Sequence, residues 1–370
     1  MNIRGDKKMN KIMIVNAASL YPEAPVSMEI LTQEKDQALA LFRASDAEKK
    51  ILLLDAGNEE LKNFFTDAGI LVKEADPKYG FVYGNSSAVE KAVLEDEKPL
   101  PGEVSNTLHA YSAEGMLHSG RKTFYAEGHA KKKGPFTVLL KTSPRKILDE
   151  CGAEGSFKGM YFGYPMGFFV SEKELDEEIE MTADLITILN EKDCMLDVLL
   201  SAEKRFMKET CGRCVFGHEG TAQLNMILMD ISLKKGRLTD IALMQDLAGE
   251  MQNQSLCEIG RCAARTAESA LSCFKEEIEN HITKKQCAAG VCSSFISYFI
   301  QPDLCTGCTE CEDACEDEAI LGKKRFIHVI DQDECTQCGK CAEACEEGAI
   351  VRAAPGSIRC PRRPIPCKAG

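Results

Sequence analysis

A cysteine motif near the C-terminus occurs twice and constrains this chain of 370 residues more than any other feature. Each copy has the spacing C-x2-C-x2-C-x3-C, and the copies run over 305–315 and 335–345. Thiolates at this spacing bind four-iron clusters, and the fourth cysteine of one copy binds the cluster of the other. The motif therefore predicts two cubane clusters with interlocked ligand sets. One set is Cys305, Cys308, Cys311 and Cys345, and the second set is Cys335, Cys338, Cys341 and Cys315.

A zinc ribbon or a set of disulfides could also account for many cysteines. Zinc, however, takes four ligands rather than two interlocked sets of four, and disulfides impose no such regular spacing. The doubled motif is instead typical of a bacterial-type two-cluster ferredoxin domain, which we expect over 301–350.

Composition restricts the other classes. There are 19 cysteines, residues 1–8 are polar, and no apolar leader-like run follows them. These features predict a cytoplasmic, reducing compartment in which the cysteines bind metals rather than form disulfides. No stretch has the length and apolarity of a membrane span. The net charge of −13 and the lack of tryptophan argue against a nucleic-acid partner.

The N-terminal part, 1–103, is expected to form an α/β domain. Lys11–Val15 and Ile51–Asp55 are apolar runs of strand length, 70–75 and 81–83 are further candidate strands, and Met28–Arg43 has helical spacing. A flavin or dinucleotide domain needs a glycine-rich turn that lets backbone N–H groups approach a phosphate. No such glycine cluster occurs here, so this domain is predicted to be degenerate.

Three further segments complete a multidomain α+β organisation. Strand-like runs over 104–171 predict a β-grasp-like module, with Gly134-Pro135 as a turn and a helix over 143–151. Apolar spacing over 184–208, 221–234, 240–252 and 261–281 predicts a helical bundle in 172–300. The tail, 351–370, has five basic residues and no acidic one. We expect it to be extended, lying on a partner or back on the ferredoxin domain.

A resemblance becomes specific at Glu209–Thr221, which reads ETCGRCVFGHEGT. This stretch is similar to the cluster loop of the NADH-binding flavoprotein subunit of complex I and of electron-bifurcating hydrogenases. The stretches SLCEIG over 255–260 and CAAGVC over 287–292 also resemble that family, and 123–152 resembles its soluble-ligand-binding segment. The resemblance covers most of 80–350.

The family's cluster loop has three cysteines and a fourth about forty residues on, but here the third position is Gly217. The resemblance implies a third cluster on Cys211, Cys214 and Cys257. Two candidates for the missing ligand stay open, namely His218 and Cys262, and the second would suit a [2Fe–2S] centre. The alternative is that the cluster is lost and the cysteines are buried thiols.

The family's flavin site is altered as well. Tyr83–Ala88 reads YGNSSA where the family has Cys-Gly-Glu-Glu-Thr-Ala, so two acidic positions are now Asn85 and Ser86. The family's early glycine-rich loop is also missing. We therefore expect FMN and NADH sites to be absent.

Hydrogenase-type relatives in the family carry a zinc site at matching positions, which implies zinc on Cys194, His281, Cys287 and Cys292. Three thiolates and one imidazole satisfy tetrahedral zinc with no open position, as in a structural site. The alternative treats Cys194 as a small core residue and His281 as a surface residue that caps a helix C-terminus.

Charge around the doubled motif bears on redox potential. Thirteen acidic and four basic residues lie between Asp303 and Ile350. Negative charge near a cluster disfavours an added electron, so the composition predicts low potentials. A solvated acidic face without effect on the potentials is the alternative.

Together these features predict a non-catalytic electron-transfer subunit of an oxidoreductase complex in an anaerobic cell. Its partners would be other redox subunits, either a flavoprotein or a thioredoxin-like iron-sulfur subunit, and soluble ferredoxin. Two alternatives stay open: a flavoprotein that binds FMN and NAD(P)H in an unrecognised way at 9–103, and an assembly scaffold. The sequence leaves open the partner's substrate, the direction of electron flow, bifurcation, and the roles of Cys360 and Cys367.

Overall fold

The computed structural model of the protein describes residues 12–94, 108–353 and 358–367. Contacts between Cα atoms divide the chain into two compact units. Unit 1 comprises Met1–Glu191, Leu199–Ile227 and Thr239–Lys275, and unit 2 comprises Lys192–Val198, Leu228–Leu238 and Glu276–Gly370.

A four-stranded parallel sheet organises the N-terminal half of unit 1, with strand order β3-β2-β1-β4. Its strands are β1 (Ile12–Asn16), β2 (Lys49–Asp55), β3 (Leu71–Ala75) and β4 (Leu108–Ser112). The helices of this region are α1 (Val26–Gln33), α2 (Lys35–Ala44), α3 (Glu59–Asp67), α4 (Ser86–Leu94) and α5 (Ala113–Leu117).

Both faces of this parallel sheet are buried. Val15 and Leu52 belong to one apolar cluster, together with Phe42 and Phe65 from the helices, whereas Ile14 belongs to a second cluster. A strand covered on both faces reads as a continuous apolar run rather than an alternation. This explains why β1 and β2 are recognisable in the sequence. The chain order changes direction between β1 and β4, which makes their carboxyl ends the topological switch point.

A second, five-stranded sheet in unit 1 has the order β6-β5-β11-β8-β9. Strand β11 is parallel to β5 and antiparallel to β8. Its strands are β5 (Arg121–Gly128), β6 (Phe136–Leu139), β8 (Phe157–Phe162), β9 (Phe168–Ser171) and β11 (Leu185–Asn190). The short strands β7 (Lys141–Thr142) and β10 (Ile179–Glu180) pair with each other in a separate two-stranded sheet, and helix α6 (Pro144–Cys151) follows β7. The helix predicted over 143–151 is α6, with Ser143 at its N-cap and Pro144 at its first position.

Several expectations for these regions are wrong. The helix predicted over 184–208 is a strand, β11, followed by helix α7 (Met195–Glu209). Five of the six residues of β11 are buried, so the run lacks the alternation that separates a strand from a buried helix. The β-grasp-like segment predicted to end at 171 thus shares a sheet with residues beyond that boundary, and β4, which lies inside it, pairs with β1 instead.

Two smaller expectations are also corrected. Residues 81–83, predicted as a strand, lie in a 3-10 segment, Pro77–Gly84, in which Gly80 has φ 35°. The helix predicted over 28–43 is divided at Glu34, where φ is −118°. Apolar spacing continues across the break, so the pattern alone did not show it.

Four long helices lie between β11 and the doubled motif: α7, α8 (Val215–Ser232), α9 (Thr239–Gln254) and α10 (Glu258–Thr283). Helix α10 is interrupted at Phe274, whose backbone is not helical. None of the helices in the described part of the chain is both long and apolar enough to cross a membrane.

Unit 2 contains the doubled motif in two similar halves. Its elements are β12 (Ser297–Ile300), α11 (Glu310–Asp313), β13 (Ile320–Leu321), β14 (Phe326–Ile327), β15 (Val329–Ile330), α12 (Lys340–Ala344), β16 (Ile350–Ala353) and β17 (Ile365–Pro366). Ile300 pairs with Ile350, and Ile330 pairs with Ile320. Ile300 is thus equivalent to Ile330, and Ile320 to Ile350, at a spacing of thirty residues.

The basic tail lies on unit 2. Strand β17 pairs antiparallel with β14, and the Cys367 backbone N–H donates to the Arg325 carbonyl at 2.9 Å. Of the two expectations for the tail, an extended segment on the acidic ferredoxin domain is the one that the structure shows. Residues 354–357 and 368–370 lie outside the described residues.

Candidate iron-sulfur and metal centres

Two loops of matching backbone shape carry the eight cysteines of the doubled motif. Gly307 and Thr309 in the first loop have φ values of 73° and 84°, and Gln337 and Gly339 in the second have 62° and 86°. Left-handed residues at these positions turn each loop back on itself, so that the thiols before and after the turn converge. Two of the four are not glycine, which is uncommon and indicates that the loop shape is required.

The first set of thiols surrounds one small cavity. Its wall comprises Cys305, Cys308 and Cys311 from one copy of the motif and Cys345 from the other. Burial, together with the charges of the three neighbouring thiols, raises the pKa of Cys311 to about 12. Four thiolates this close repel one another unless a cation lies between them. The donor set fits an iron-sulfur cluster.

The second set is gathered in the same way. Burial raises the pKa of Cys341, and the neighbouring charges that add to this effect are those of Cys335, Cys338 and Cys315. The fourth member again comes from the opposite copy. The structure thus brings together both predicted ligand sets, and the clusters themselves remain a prediction.

A third group of thiols lies in unit 1, in the loop between α7 and α8 and just before α10. Cys211, Cys214 and Cys257 line a small cavity together with Gly217 and His218. Burial raises the pKa of Cys257, against the lowering effect of hydrogen bonds from the first backbone N–H groups of α10. A β-carbon at position 217 would stand 2.6 Å from the Cys214 sulfur, so this position faces the thiols directly.

The two candidates for the fourth ligand differ in position. His218 is on the cavity wall, and its Nδ1 lies 2.9 Å from the Thr210 hydroxyl, which leaves Nε2 as the nitrogen available to a metal. Cys262 is fully buried elsewhere, and its thiol donates to the Pro165 carbonyl at 2.8 Å. The described residues of this wall include His218 and not Cys262. The geometry therefore favours His218 over Cys262.

The four residues of the expected zinc site converge in unit 2. Their ligand atoms all lie within 4.8 Å of one another, and all four residues are buried: Cys194, His281, Cys287 and Cys292. The Cys194 sulfur is 3.2 Å from His281 Nε2 and 3.3 Å from the Cys292 sulfur. His281 has no exposed surface, so its interpretation as a surface helix cap is wrong.

Surrounding groups orient this donor set. Nδ1 of His281 lies 2.8 Å from the Glu277 carbonyl, a contact that places the proton on Nδ1 and directs Nε2 toward the thiols. The ring also packs edge-on against Phe295, with centroids 4.9 Å apart. Metal-binding histidines are commonly fixed in this way.

Without a metal, the four groups would have to share protons. Burial lowers the pKa of His281, but its hydrogen bonds to Cys194 and Cys287 outweigh this and raise the pKa to about 10. The hydrogen bond from Cys194 lowers the pKa of Cys287. A divalent cation removes this need, because three thiolates and a neutral imidazole can all bind it at once. The donor set fits zinc.

A cavity of about 310 Å³ lies at the switch point of the parallel sheet. Its wall includes Asn16 and Ser112, at the ends of β1 and β4, and Tyr83 and Gly84 from the altered flavin stretch. Lys122 is buried on the same wall, between the carboxylates of Glu114 and Asp184.

Two family models match the chain over its cysteine-rich regions. The model described as the NADH-ubiquinone oxidoreductase-F iron-sulfur binding region matches residues 197–281. The model described as a 4Fe-4S dicluster domain matches residues 297–354. The chain carries the iron-sulfur region of an F-type subunit, and a 4Fe-4S dicluster domain comes after it.

Curated relatives of this F-type region are redox subunits. The chain is 30% identical over 244 residues to the NADP-reducing hydrogenase subunit HndC of Solidesulfovibrio fructosivorans, covering 62% of this chain and 50% of that one. It is 27% identical over 208 residues to the F-type subunit of the NADH-quinone oxidoreductase of Streptomyces coelicolor, covering 52% and 46%. The chain spans about half the length of these relatives.

The fold is similar to that of a solved hydrogenase. The crystal structure of an NAD+-reducing [NiFe]-hydrogenase in the H2-reduced state matches 74% of this chain and 56% of its own chain, with a TM-score of 0.64 and 16% identity. A mixed α/β fold with a ferredoxin-like 4Fe-4S domain is thereby confirmed. The names β-grasp-like module and remnant flavin domain remain predictions.

Two features of the described residues were missed in the sequence. The Lys122 ion group depends on Asp184, 62 residues further along the chain, so no local pattern indicates it. His328 is buried on the wall of the first cluster cavity. A signal for His328 exists, because the position thirty residues earlier, in the first half, is an aromatic residue, Tyr298.

The fourth ligand of the third centre can be tested by paired substitutions. We expect His218→Ala to abolish or strongly broaden the EPR signal of the cluster predicted on Cys211, Cys214 and Cys257 in the dithionite-reduced chain, because no other described side chain on the wall replaces a nitrogen ligand. Cys262→Ala is the control and should keep the signal, since that thiol bonds to Pro165 instead. Loss of the signal in the Cys262 variant alone would assign the ligand to Cys262.

Proposed function

We propose that this protein is an electron-transfer subunit of a multi-subunit oxidoreductase. It would pass electrons between a partner's redox centre and the two cubane clusters of its own dicluster domain. The observation that carries the proposal is the convergence of eight cysteines into two crossed sets of four in unit 2. The match to the F-type iron-sulfur region supports a third centre in unit 1. Relatives that are named as hydrogenase and quinone oxidoreductase subunits support the complex.

The chemistry needs little from the side chains beyond binding and tuning. An iron-sulfur cluster supplies one-electron transfer when bound. The thiols of each set hold it, and the apolar residues Ile300 and Ile350 on the first cavity wall exclude water. No general acid or base takes part, because only electrons are exchanged.

We further propose a structural zinc ion in the group formed by Cys194, His281, Cys287 and Cys292. Its four donors leave no open position for a substrate. The ion would tie the start of α7 to the end of α10 and to the loop that precedes β12. Such a role is also compatible with assembly into a complex, which is the scaffold interpretation of the sequence.

A second candidate function is a flavoprotein that oxidises NAD(P)H itself. The cavity of about 310 Å³ at the switch point favours it, because ligands of α/β sheets bind at that place. Its volume is at the lower end of the range for small-molecule sites. Ser86 on the same wall stands where the resembling family has an acidic residue, and the Tyr164 ring packs so closely on Gly84 that a β-carbon there would be 2.2 Å away. We therefore rank this function second.

Flavin content separates the two functions. We expect the chain, purified anaerobically, to contain far less than one FMN per chain and to show no reduction of its clusters by NADH, while dithionite reduces them. Absorbance of the acid-released flavin and EPR of the intact chain measure the two quantities. Stoichiometric FMN with NADH-dependent cluster reduction would establish the flavoprotein instead, and affinity purification from anaerobic extract would identify the partner subunits in either case.

A further inference from the structure

The two halves of the dicluster domain are related by a shift of thirty residues, which extends to the walls of their cavities. Tyr298 in the first half corresponds to His328 in the second. The Tyr298 hydroxyl lies close to Gly339, which is next to Cys338 of the second ligand set, since a β-carbon on Gly339 would be 2.7 Å from it. The imidazole of His328 lies on the wall of the first cavity. Each cluster therefore has one ring beside it, and the two rings differ.

The imidazole of His328 is buried, and one of its two nitrogens has no hydrogen-bond partner among the described residues. The residue is 1% exposed, and that nitrogen is Nδ1. The Cδ2 and Nε2 edge of the ring packs against Gly322. Nε2 lies 3.3 Å from the Glu312 carboxylate, which is long for a charge-assisted hydrogen bond. At this distance the Glu312 carboxylate is only a weak acceptor for the imidazole proton.

A buried nitrogen without a hydrogen bond lowers the stability of the fold, so a hydrogen-bond partner is expected in the cavity. The first cavity is ringed by sulfur atoms, and sulfur of a bound cluster accepts hydrogen bonds. With its proton on Nδ1, the imidazole would donate to such a sulfur.

We propose that His328 is a positioning residue that sets the two clusters at different potentials: its Nδ1–H donates to the cluster held by Cys305, Cys308, Cys311 and Cys345. This inference rests on the proposed function. A hydrogen bond to cluster sulfur stabilises the added electron and raises the potential. The corresponding ring at the second cluster, Tyr298, reaches the Gly339 backbone side instead, so the second cluster keeps the lower potential. Electrons would then collect on the first cluster.

Reciprocal substitutions test the inference by potentiometric EPR on the full anaerobic chain. His328→Tyr gives both halves the same ring and should lower the higher of the two midpoints, with the reduction equilibrium changing about tenfold, or ~59 mV for one electron. Tyr298→His should raise the lower midpoint. His328→Gln retains an N–H donor and should shift the midpoint less than His328→Tyr does.

The outcomes separate this inference from the proposed function. If the unaltered chain binds both clusters but its midpoints stay unchanged in His328→Tyr and Tyr298→His, the tuning role is refuted and the electron-transfer function stands. If the unaltered chain fails to bind iron, the proposed function fails first. If His328→Tyr does not retain its cluster, Tyr298→His alone decides, and an unchanged midpoint there overturns the inference.

Discussion

Replacing Cys345 by alanine is expected to remove the cluster whose other three ligands lie thirty to forty residues earlier in the chain. The thiol of Cys345 lines the same cavity as Cys305, Cys308 and Cys311. Each cubane contains four irons, so the iron content of the dicluster domain should fall from about eight to about four per chain. Iron and acid-labile sulfide analysis of the anaerobic chain, with spin quantitation by EPR, measures the loss.

Double substitutions test the crossing itself. Cys311→Ala with Cys345→Ala removes two ligands of one cluster, although they belong to different copies of the motif, and should leave about four irons in the domain. Cys311→Ala with Cys315→Ala removes neighbours in one copy that serve different clusters, and should leave almost none. The opposite order of iron contents would show that each copy binds its own cluster.

A matched control comes from the tail. Cys360 is a half-buried cysteine of the same unit, and its sulfur lies 3.3 Å from the Ile300 carbonyl. It is not among the described residues of the first cavity wall. Cys360→Ala should therefore retain all the iron, and a loss equal to that of Cys345→Ala would point to general destabilisation instead.

The sequence predicted the parts of the site whose ligands follow a fixed spacing. The doubled motif contains all eight thiols and the four turn residues, at 307, 309, 337 and 339. The spacing of the cysteines is therefore enough to predict which thiols come together. The zinc group depends on a contact between residues 87 positions apart, Cys194 and His281. Spacing cannot reveal such a contact, and only the family resemblance suggested it.

Other features depended on tertiary context. Four of the five residues over 185–189 are apolar, and only the burial of this run between β5 and β8 distinguishes a strand from a helix. Cys262 and His218 are equally plausible ligands by type and distance along the chain. The contact of Cys262 with Pro165, 97 residues away, removes it from the cavity, and nothing near Cys262 in the sequence indicates that contact.

Loss of the zinc donors is the second change for which we expect a large effect, in this case on stability. His281→Ala should abolish tight zinc binding and lower the melting temperature of the chain. The free energy of zinc binding is folding free energy for such sites, about 10–16 kcal/mol in zinc-finger peptides. The thiol and imidazole groups here are buried, so their separation from the metal also leaves unpaired polar groups in the interior.

Cys273→Ala is the control for the zinc prediction, because Cys273 lies on the same helix, α10, and is half-buried. Its sulfur contacts the Phe169 carbonyl at 3.6 Å and is not one of the four donors. The Cys273→Ala chain should keep one zinc ion and a nearly unchanged melting temperature. The His281→Ala chain, by contrast, should lose more than about 4 kcal/mol of stability, the range associated with loss of a metal. Metal analysis and thermal unfolding, with and without a chelator, measure both quantities.

Acidification should release this zinc, because the thiolates take up protons and the imidazole becomes charged as the pH falls. The midpoint of release should move to higher pH in Cys292→Ala, since three donors hold the ion less tightly than four. A closed structural site predicts that the unaltered chain releases zinc at a lower pH than Cys292→Ala does. It also predicts that a chelator lowers the melting temperature of the unaltered chain but not that of His281→Ala. Equal chelator effects on both chains would mean that these four donors do not hold the metal, and their convergence within 4.8 Å would then reflect core packing alone.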